Sequence, residues 1–154
     1  MTTPSTSTAG NRELRSADST QSFGHGDGNG DGHGILLDAE RLDCYRIARE
    51  MRSLIAPILP TLSRTLRDQL DRASLSVPLN IAEGAGRFAP GSKAQFYSIA
   101  RGSANETAAL LDVVLAEAGD RYEHGESLRL ARGQVVRVVQ MLVKLERRFG
   151  RRVR

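Results

Sequence analysis

The polar residues with the most regular spacing lie in the middle of the chain. Arg72, Ser76, Asn80, Glu83 and Arg87 follow one another at intervals of three or four residues. On a helix of about 3.6 residues per turn, this spacing places all five side chains on one face. Hydroxyl, amide, carboxylate and guanidinium groups on one face suit catalysis, ligand binding, or hydrogen bonds and ion pairs with neighbouring helices.

Catalysis is the weakest of these interpretations because the segment has no suitable base. A serine nucleophile such as Ser76 or Ser103 needs an activating base, which is usually histidine. Glu83 and Glu106 supply two carboxylates but lack the Glu-x-x-His pairs of a di-metal helix bundle. The histidines of the chain lie in a predicted linker and a predicted turn, at His25, His33 and His124. We therefore expect no enzymatic activity and no cofactor.

Apolar residues recur at helical spacing in four segments after residue 35, and no strand pattern competes with them. The predicted helices cover about residues 38–55, 61–83, 92–118 and 126–149. The connections between them are short, so neighbouring helices should be antiparallel. The sequence therefore predicts an all-α fold, an antiparallel up-down four-helix bundle.

Local signals set the predicted helix ends. Asp38 is expected to cap the first helix, and Ser92 with Gln95 to form a capping box at the start of the third. Pro78 lies inside the second helix and should kink it. The glycines Gly84 and Gly86 should then stop that helix.

Two of the predicted helices have well-defined core faces. In the third helix this face is expected to carry Phe96, Ile99, Ser103, Thr107, Leu110 or Leu111, and Val114. In the fourth it follows a near-heptad rhythm through Leu128, Ala131, Val135, Val138, Leu142, Leu145 and Phe149.

Composition limits the class of protein. A chain of 154 residues is long enough for one domain with a core. No run approaches the roughly 18 to 20 apolar residues of a membrane span, and the N-terminus lacks the apolar segment of a secretory signal. The single Cys44 cannot form an internal disulfide, so we interpret it as a packing residue. These features favour the cytoplasm and no membrane association.

The first 34 residues are rich in Ser, Thr and Gly, with Leu14 and Phe23 as their large apolar residues. Such a segment buries too little apolar surface to offset the entropy lost on ordering it. We expect a disordered extension and linker at 1–34, the bundle at 35–150 and a basic tail at 151–154.

One pattern in this linker offers an alternative. Asp27, Asn29, Asp31 and Gly32 fit the first half of an EF-hand calcium loop, and Asp38 falls where the bidentate Glu normally stands. No helix pattern precedes the loop, and there is no second loop to pair with it. A linker with alternating glycines produces the pattern by chance. We therefore predict no metal site and keep a calcium-gated protein as an alternative.

Positive charge is concentrated at the C-terminal end. Residues 128–154 hold nine basic side chains against Glu146 alone, whereas the whole chain has a net charge of +4. This excess attracts polyanions through counterion release and steering. The chain has three Tyr and no Trp, so a stacking platform for base-specific reading is not expected. The candidate phosphate contacts are Arg129, Arg132, Arg137, Lys144, Arg147, Arg148, Arg151, Arg152 and Arg154.

The segment RASLSVPLNIAEGAGR, followed by FYSIARGSANE, resembles a known family. Its members are four-helix-bundle proteins encoded in intervening sequences of large-subunit ribosomal RNA genes, together with the accessory variability protein of diversity-generating retroelements. The resemblance covers about residues 37–149. The matching positions are Arg72, Ser76, Pro78, Asn80, Ile81, Ala82, Glu83, Gly84, Gly86, Arg87, Ala100, Gly102, Ser103 and Glu106.

The resemblance implies that this chain forms a homo-oligomer, a pentamer like the retroelement accessory protein. It also implies RNA and a reverse transcriptase as partners. The sequence together with the resemblance thus predicts an oligomeric accessory or assembly factor that binds structured RNA through its basic surface. The alternative is a protein–protein interaction scaffold whose basic face is only solvated.

We assign the motif residues a structural role. Asn80 and Glu83 are expected to bond backbone groups that Pro78 leaves unpaired, and Gly102 to let another helix approach closely. Arginines of the motif are expected to pair with Glu83 or Glu106 across helices two and three. The motif set is Arg72, Ser76, Asn80, Glu83, Gly84, Gly86, Arg87, Arg101, Gly102, Ser103 and Glu106.

Overall fold

The computed structural model of the chain describes residues 37–118 and 123–150. Within these ranges the chain has no strand, and its α-helices are α1 (Asp43–Ile55), α2 (Arg64–Gly86), α3 (Pro90–Ala118) and α4 (Gly125–Gly150). Short 3-10 helices, Asp38–Arg41 and Leu59–Thr61, precede α1 and α2. The prediction of an all-α four-helix bundle is confirmed.

Several predictions lie outside the described residues. They concern the extension at 1–34, the basic tail at 151–154, and the calcium-loop residues Asp27, Asn29 and Asp31. The remaining candidate ligand of that loop, Asp38, is the first residue of the 3-10 helix Asp38–Arg41. The calcium alternative stays a prediction.

The helices surround one apolar core. Helix α2 packs against α3, α3 against α4, and α4 against α1. Arg72 of α2 contacts Glu106 of α3, and Ser76 contacts Ser103. The later residue of α2 thus meets the earlier residue of α3, so these two helices run in opposite directions. The up-down course of the whole bundle stays a prediction from the short connections.

The core confirms the apolar stripe of α4, where five residues are fully buried: Leu128, Ala131, Val135, Val138 and Leu142. The stripe of α3 was predicted less well. Ile99 is 44% exposed, whereas Tyr97 and Ala100 take the core positions beside it. Neighbouring positions on a helix are separated by about 100°, so a core position assigned one residue too early or too late points to a different face.

The start of the first helix differs from the prediction. Asp38 does not cap a long helix, because the chain forms the 3-10 helix Asp38–Arg41, extends at Leu42 and only then enters α1. The carboxylate of Glu40 accepts a hydrogen bond from the backbone N–H of Leu37, at 2.8 Å. This acidic side chain, and not Asp38, ties down the entry to the bundle.

The junction between α2 and α3 also corrects two predictions. Gly84 lies inside the last turn of α2 and does not stop it, whereas the helix ends at Gly86 and contains Pro78, as predicted. Helix α3 begins at Pro90, so Ser92 is a helix residue and the predicted capping box is wrong. Proline suits the first turn of a helix because its missing N–H has no partner there.

A side chain from α3 completes the end of α2. The Nζ atom of Lys93 donates to the carbonyl oxygen of Ala85 at 2.7 Å and approaches that of Gly84 at 3.4 Å. The last carbonyls of a helix lack internal donors and carry partial negative charge, so an ammonium group stabilises them. Lys93 of α3 thus links its own helix to the C-terminal end of α2.

Cys44 is 2% exposed, which confirms its role as a packing residue. Burial raises the pKa of its thiol to about 11, since the thiolate is poorly solvated in the core. None of the described helices has the length and apolar character that crossing a membrane requires.

Candidate nucleic-acid interface

The central motif forms a hydrogen-bonded contact between α2 and α3. The hydroxyl oxygens of Ser76 and Ser103 lie 2.8 Å apart, and the Nδ2 atom of Asn80 donates to Ser76 Oγ at 3.0 Å and to the Ser76 carbonyl at 2.8 Å. Asn80 was predicted to bond a backbone group that Pro78 leaves unpaired, and this is wrong. The missing N–H of Pro78 leaves the carbonyl of Ser74 without its usual donor, whereas Asn80 reaches the carbonyl of Ser76.

The charged residues of the motif form three ion pairs. Arg72 of α2 contacts Glu106 of α3 at 3.1 Å, which is one of the predicted cross-helix pairs. Glu83 pairs with Arg87, four residues along the same segment, and not with a backbone group or an α3 arginine as predicted. Arg101 contacts Glu146 of α4 at 2.6 Å, so its partner is on α4 and not on α2. The motif thus connects three helices.

The predicted role of Gly102 is not seen within one chain. A Cβ atom added to Gly102 would meet no described atom within 4 Å, because the residue faces outward on α3. The close approach occurs at Gly84, where an added Cβ would lie 2.8 Å from Cε1 of Tyr97. From the sequence, Gly84 was predicted to stop the helix. Its place in the family motif was the one sequence signal that could have indicated a close helix contact at this position.

Metal chemistry has no candidate cluster here. In residues 37–118 and 123–150, no group of three or more His, Cys, Asp or Glu side chains is placed to hold a metal ion. The hydroxyl groups of Ser76 and Ser103 bond each other, and that of Ser76 also accepts a hydrogen bond from Asn80. This arrangement holds the helices in register.

On the side of α4 that faces α3, basic residues are engaged in ion pairs. Arg132 donates two hydrogen bonds to Asp112 of α3, at 2.9 and 3.0 Å, and these bonds raise the pKa of Arg132. Arg101 of α3 donates to Glu146 of α4, which raises the pKa of Arg101. Arg132, a predicted phosphate contact, thus already has a carboxylate partner.

The outward side of α4 is different. Arg137, Lys144 and Arg147 are exposed, and none of them forms an ion pair with a carboxylate of the described chain. Arg148 is also exposed and lies over the ring of Phe149, at 5.7 Å from its centroid. Arg129 is exposed on the same helix. Most of the predicted cations of α4 therefore share one solvent-facing surface.

Sequence reasoning missed the basic residues of the first helical segment. Arg41, just before α1, and Arg46 of α1 are both exposed, and α1 packs against α4. Arg46 of α1 and Arg137 of α4 line the same cavity. In the sequence these arginines alternate with acidic residues, so they gave no charge run, and only helix packing brings them beside α4.

The chain has one family match among the comparisons with known proteins. The family model of the 23S rRNA-intervening sequence protein matches residues 40–144, which cover most of the four helices and more than half of the chain. No curated protein matches the sequence. The matched range contains the complete motif, from Arg72 to Glu106. The chain belongs to the 23S rRNA-intervening sequence protein family.

Proposed function

We propose that this protein is a non-enzymatic, homo-oligomeric RNA-binding bundle that serves as an accessory or assembly factor in the cytoplasm. The observation that carries the proposal is the outward surface of α4, where Arg137, Lys144 and Arg147 lack carboxylate partners in the described chain. Uncompensated cations on one surface bind phosphates through counterion release. The family description names an rRNA intervening sequence, which favours RNA as the polyanion.

Such a surface reads shape and charge rather than base sequence. Helix α4 has one aromatic side chain, Phe149. Its ring packs against that of Tyr97, with 5.9 Å between the ring centroids. It is therefore engaged in packing and is not a stacking platform for bases. We expect binding to structured RNA that is weak for one chain and strongly dependent on salt.

Oligomerisation would strengthen this binding by repeating the same surface. The outer faces of α2 and α3 supply candidate contacts, since Leu79 is 58% exposed, and Leu75, Ile99 and Val113 are also exposed. Phe88, in the connection between the two helices, is 99% exposed. Leu75 and Leu79 are four residues apart, so they lie on the same face of α2 and are the candidate contact with a protein partner. We propose a second copy of the chain, with the pentamer and the reverse transcriptase partner resting on the family resemblance.

The first test is the particle mass by light scattering on a size-exclusion column, at low and high salt, with half of each sample treated with nuclease. A discrete oligomer with nuclease-sensitive absorbance supports the proposal. A monomer contradicts the oligomeric part, and a nucleic-acid-free oligomer sends the question to direct titration.

Direct titration uses a labelled RNA hairpin and the purified protein. The triple variant Arg137→Gln, Lys144→Gln, Arg147→Gln should bind several-fold more weakly and reduce the slope of log K against log salt by about two to three. The matched control is Arg64→Gln, Arg67→Gln, Arg72→Gln, which removes the same charge from α2. Equal losses in both triples would show a general charge effect and contradict a site on α4.

A protein–protein scaffold is the second candidate, and the exposed apolar side chains of α2 and α3 favour it. Under this alternative the basic surface is only solvated. A flat titration with RNA at low salt, together with a stoichiometric protein partner that is lost when Leu79 and Phe88 are changed to Ser, would support the scaffold over RNA binding.

A further inference from the structure

The flank of α4 that faces α3 and the flank that faces α1 differ in whether their basic side chains have carboxylate partners. Toward α3, Arg132 is held by Asp112 through two hydrogen bonds, and Glu146 accepts from Arg101. A phosphate would have to displace a carboxylate to reach Arg132. Toward α1, Arg137 and Lys144 lack such partners in the described chain. Polyanion binding is therefore favoured on the α1 flank.

A groove follows this flank. At one end a cavity of about 280 Å³ is lined by residues that include Arg41, just before α1, and Lys144 of α4. Next to it a cavity of about 420 Å³ is lined by residues that include Arg46 of α1 and Arg137 of α4. Asp43 and Met141 line both cavities, so the two cavities are adjacent along this flank. Each cavity thus has a basic residue from the first helical segment and one from α4.

The groove also contains two acidic residues. Asp43 pairs with Arg46, and Glu50 accepts a long hydrogen bond of 3.4 Å from Gln134. The side chains of Arg46 and Asp43 are 65% and 69% exposed, so their pair contributes little and can be exchanged for a phosphate contact. Basic residues outnumber acidic ones along the groove.

We propose that the groove between α1 and α4 is where the RNA lies, and that it holds one strand by its phosphates. Arg41, just before α1, and Arg46 of α1 supply one side of the groove, and Arg137 and Lys144 of α4 supply the other. This inference rests on the proposed RNA binding and assigns about half of the contact surface to residues outside α4. Arg132, on the other flank, is not part of it.

The spacing suits a strand that runs along the groove. Arg137 and Lys144 are seven residues apart, which is about 10 Å along a helix, so they contact different phosphates. Across the groove, Arg46 lines the same cavity as Arg137, and Arg41 lines the same cavity as Lys144. Because these are contacts to the backbone alone, affinity should be similar for strands of different sequence.

The test compares two matched pairs of variants in anisotropy titrations with labelled single-stranded oligouridine and with an RNA hairpin. The first pair is Arg41→Gln, Arg46→Gln against Arg64→Gln, Arg67→Gln on α2. The second is Arg137→Gln against Arg132→Gln, two changes of equal charge on opposite flanks of α4. A double change of Arg41 and Arg46 to Lys tests whether charge alone suffices, and circular dichroism melts check the fold of every variant.

We expect the double variant of Arg41 and Arg46 to Gln to lower affinity several-fold and to reduce the salt slope by about one to two, at roughly 0.7 to 0.9 per lost contact. The α2 double variant and Arg132→Gln should stay within about twofold of the wild type, and the Lys double variant should retain most of the affinity. Wild-type binding that the change of Arg41 and Arg46 to Gln leaves unchanged would overturn the groove but not the proposed function. Absence of RNA binding by the wild type would overturn both.

Discussion

Gly84 of α2 lies so close to the ring of Tyr97 of α3 that an added Cβ atom would be 2.8 Å from Cε1 of the tyrosine. The same Cβ would lie 3.1 Å from the Cβ of Phe96. Tyr97 is 2% exposed, and burial raises the pKa of its phenol to about 12. The glycine therefore allows α2 and α3 to approach at the end where they are joined.

Gly84→Ala should destabilise the protein by about 1 to 3 kcal/mol, because the ring of Tyr97 is fixed in the core and cannot move away freely. Urea unfolding at constant protein concentration measures the change. Gly133→Ala on α4 is the control: its Cβ would meet nothing within 4 Å. This control should be up to about 1 kcal/mol more stable through helix propensity. A Gly84→Ala protein as stable as the control would contradict the close packing.

The hydroxyl pair of Ser76 and Ser103 should behave as one unit. Ser103→Ala should cost about 0.5 to 1.5 kcal/mol, and Ser76→Ala more, since Ser76 Oγ also accepts from Asn80. The double variant should cost less than the sum of the two, by about 0.5 kcal/mol or more, because neither hydroxyl is then left without its partner.

Urea unfolding of the four proteins in this cycle tests the coupling. Ser98→Ala, an exposed serine on the same helix, is the control and should change stability by less than about 0.5 kcal/mol. Strictly additive losses would mean that the two hydroxyls do not interact in solution.

Alkaline pH should destabilise the protein through Cys44. An ordinary thiol ionises near pH 8.5 or so, whereas burial raises the pKa of Cys44 to about 11. Between these values the unfolded chain binds fewer protons than the native chain, so the free energy of unfolding falls as pH rises. Below this window the effect is absent. Tyr97 acts in the same direction at higher pH, since its pKa is about 12.

Urea unfolding from about pH 8 to 10.5 measures this loss, and Cys44→Ala should show a shallower decline because its thiol titration is removed. Alkylation gives a second readout: the native thiol should react slowly with iodoacetamide and much faster in denaturant. Equal pH slopes for the wild type and Cys44→Ala would contradict a raised thiol pKa.

The basic tail should contribute to RNA affinity. Changing Arg151, Arg152 and Arg154 to Ser keeps the chain length but removes three cations, so affinity should fall and the salt slope should decrease by about two to three. Anisotropy titration at several salt concentrations is the measurement. An unchanged salt slope would remove the tail from the set of phosphate contacts.

The sequence alone determined the class of fold and the family. The period of about 3.6 residues is a local property, so apolar spacing predicted four helices and the buried stripe of α4 from Leu128 to Leu142. Helix ends were less predictable: Asp38 and Ser92 look like caps, yet each lies inside a helical segment. Near Asp38, the side chain of Glu40 also accepts a backbone N–H, and near Ser92, Pro90 also favours a helix start. Local propensity does not decide between such competing signals.

The tertiary structure decided which residues meet. The partner of Arg101 is Glu146, 45 residues away, and that of Arg132 is Asp112. Gly84 proved to be a packing position, and Arg41 and Arg46 came to face α4. Such pairings depend on the rotation of each helix about its axis and on which helices are neighbours, and no local periodicity contains either. The positive charge of α4 could therefore be predicted from the sequence. Which of its basic residues lack a carboxylate partner was decided only by the packing of the helices.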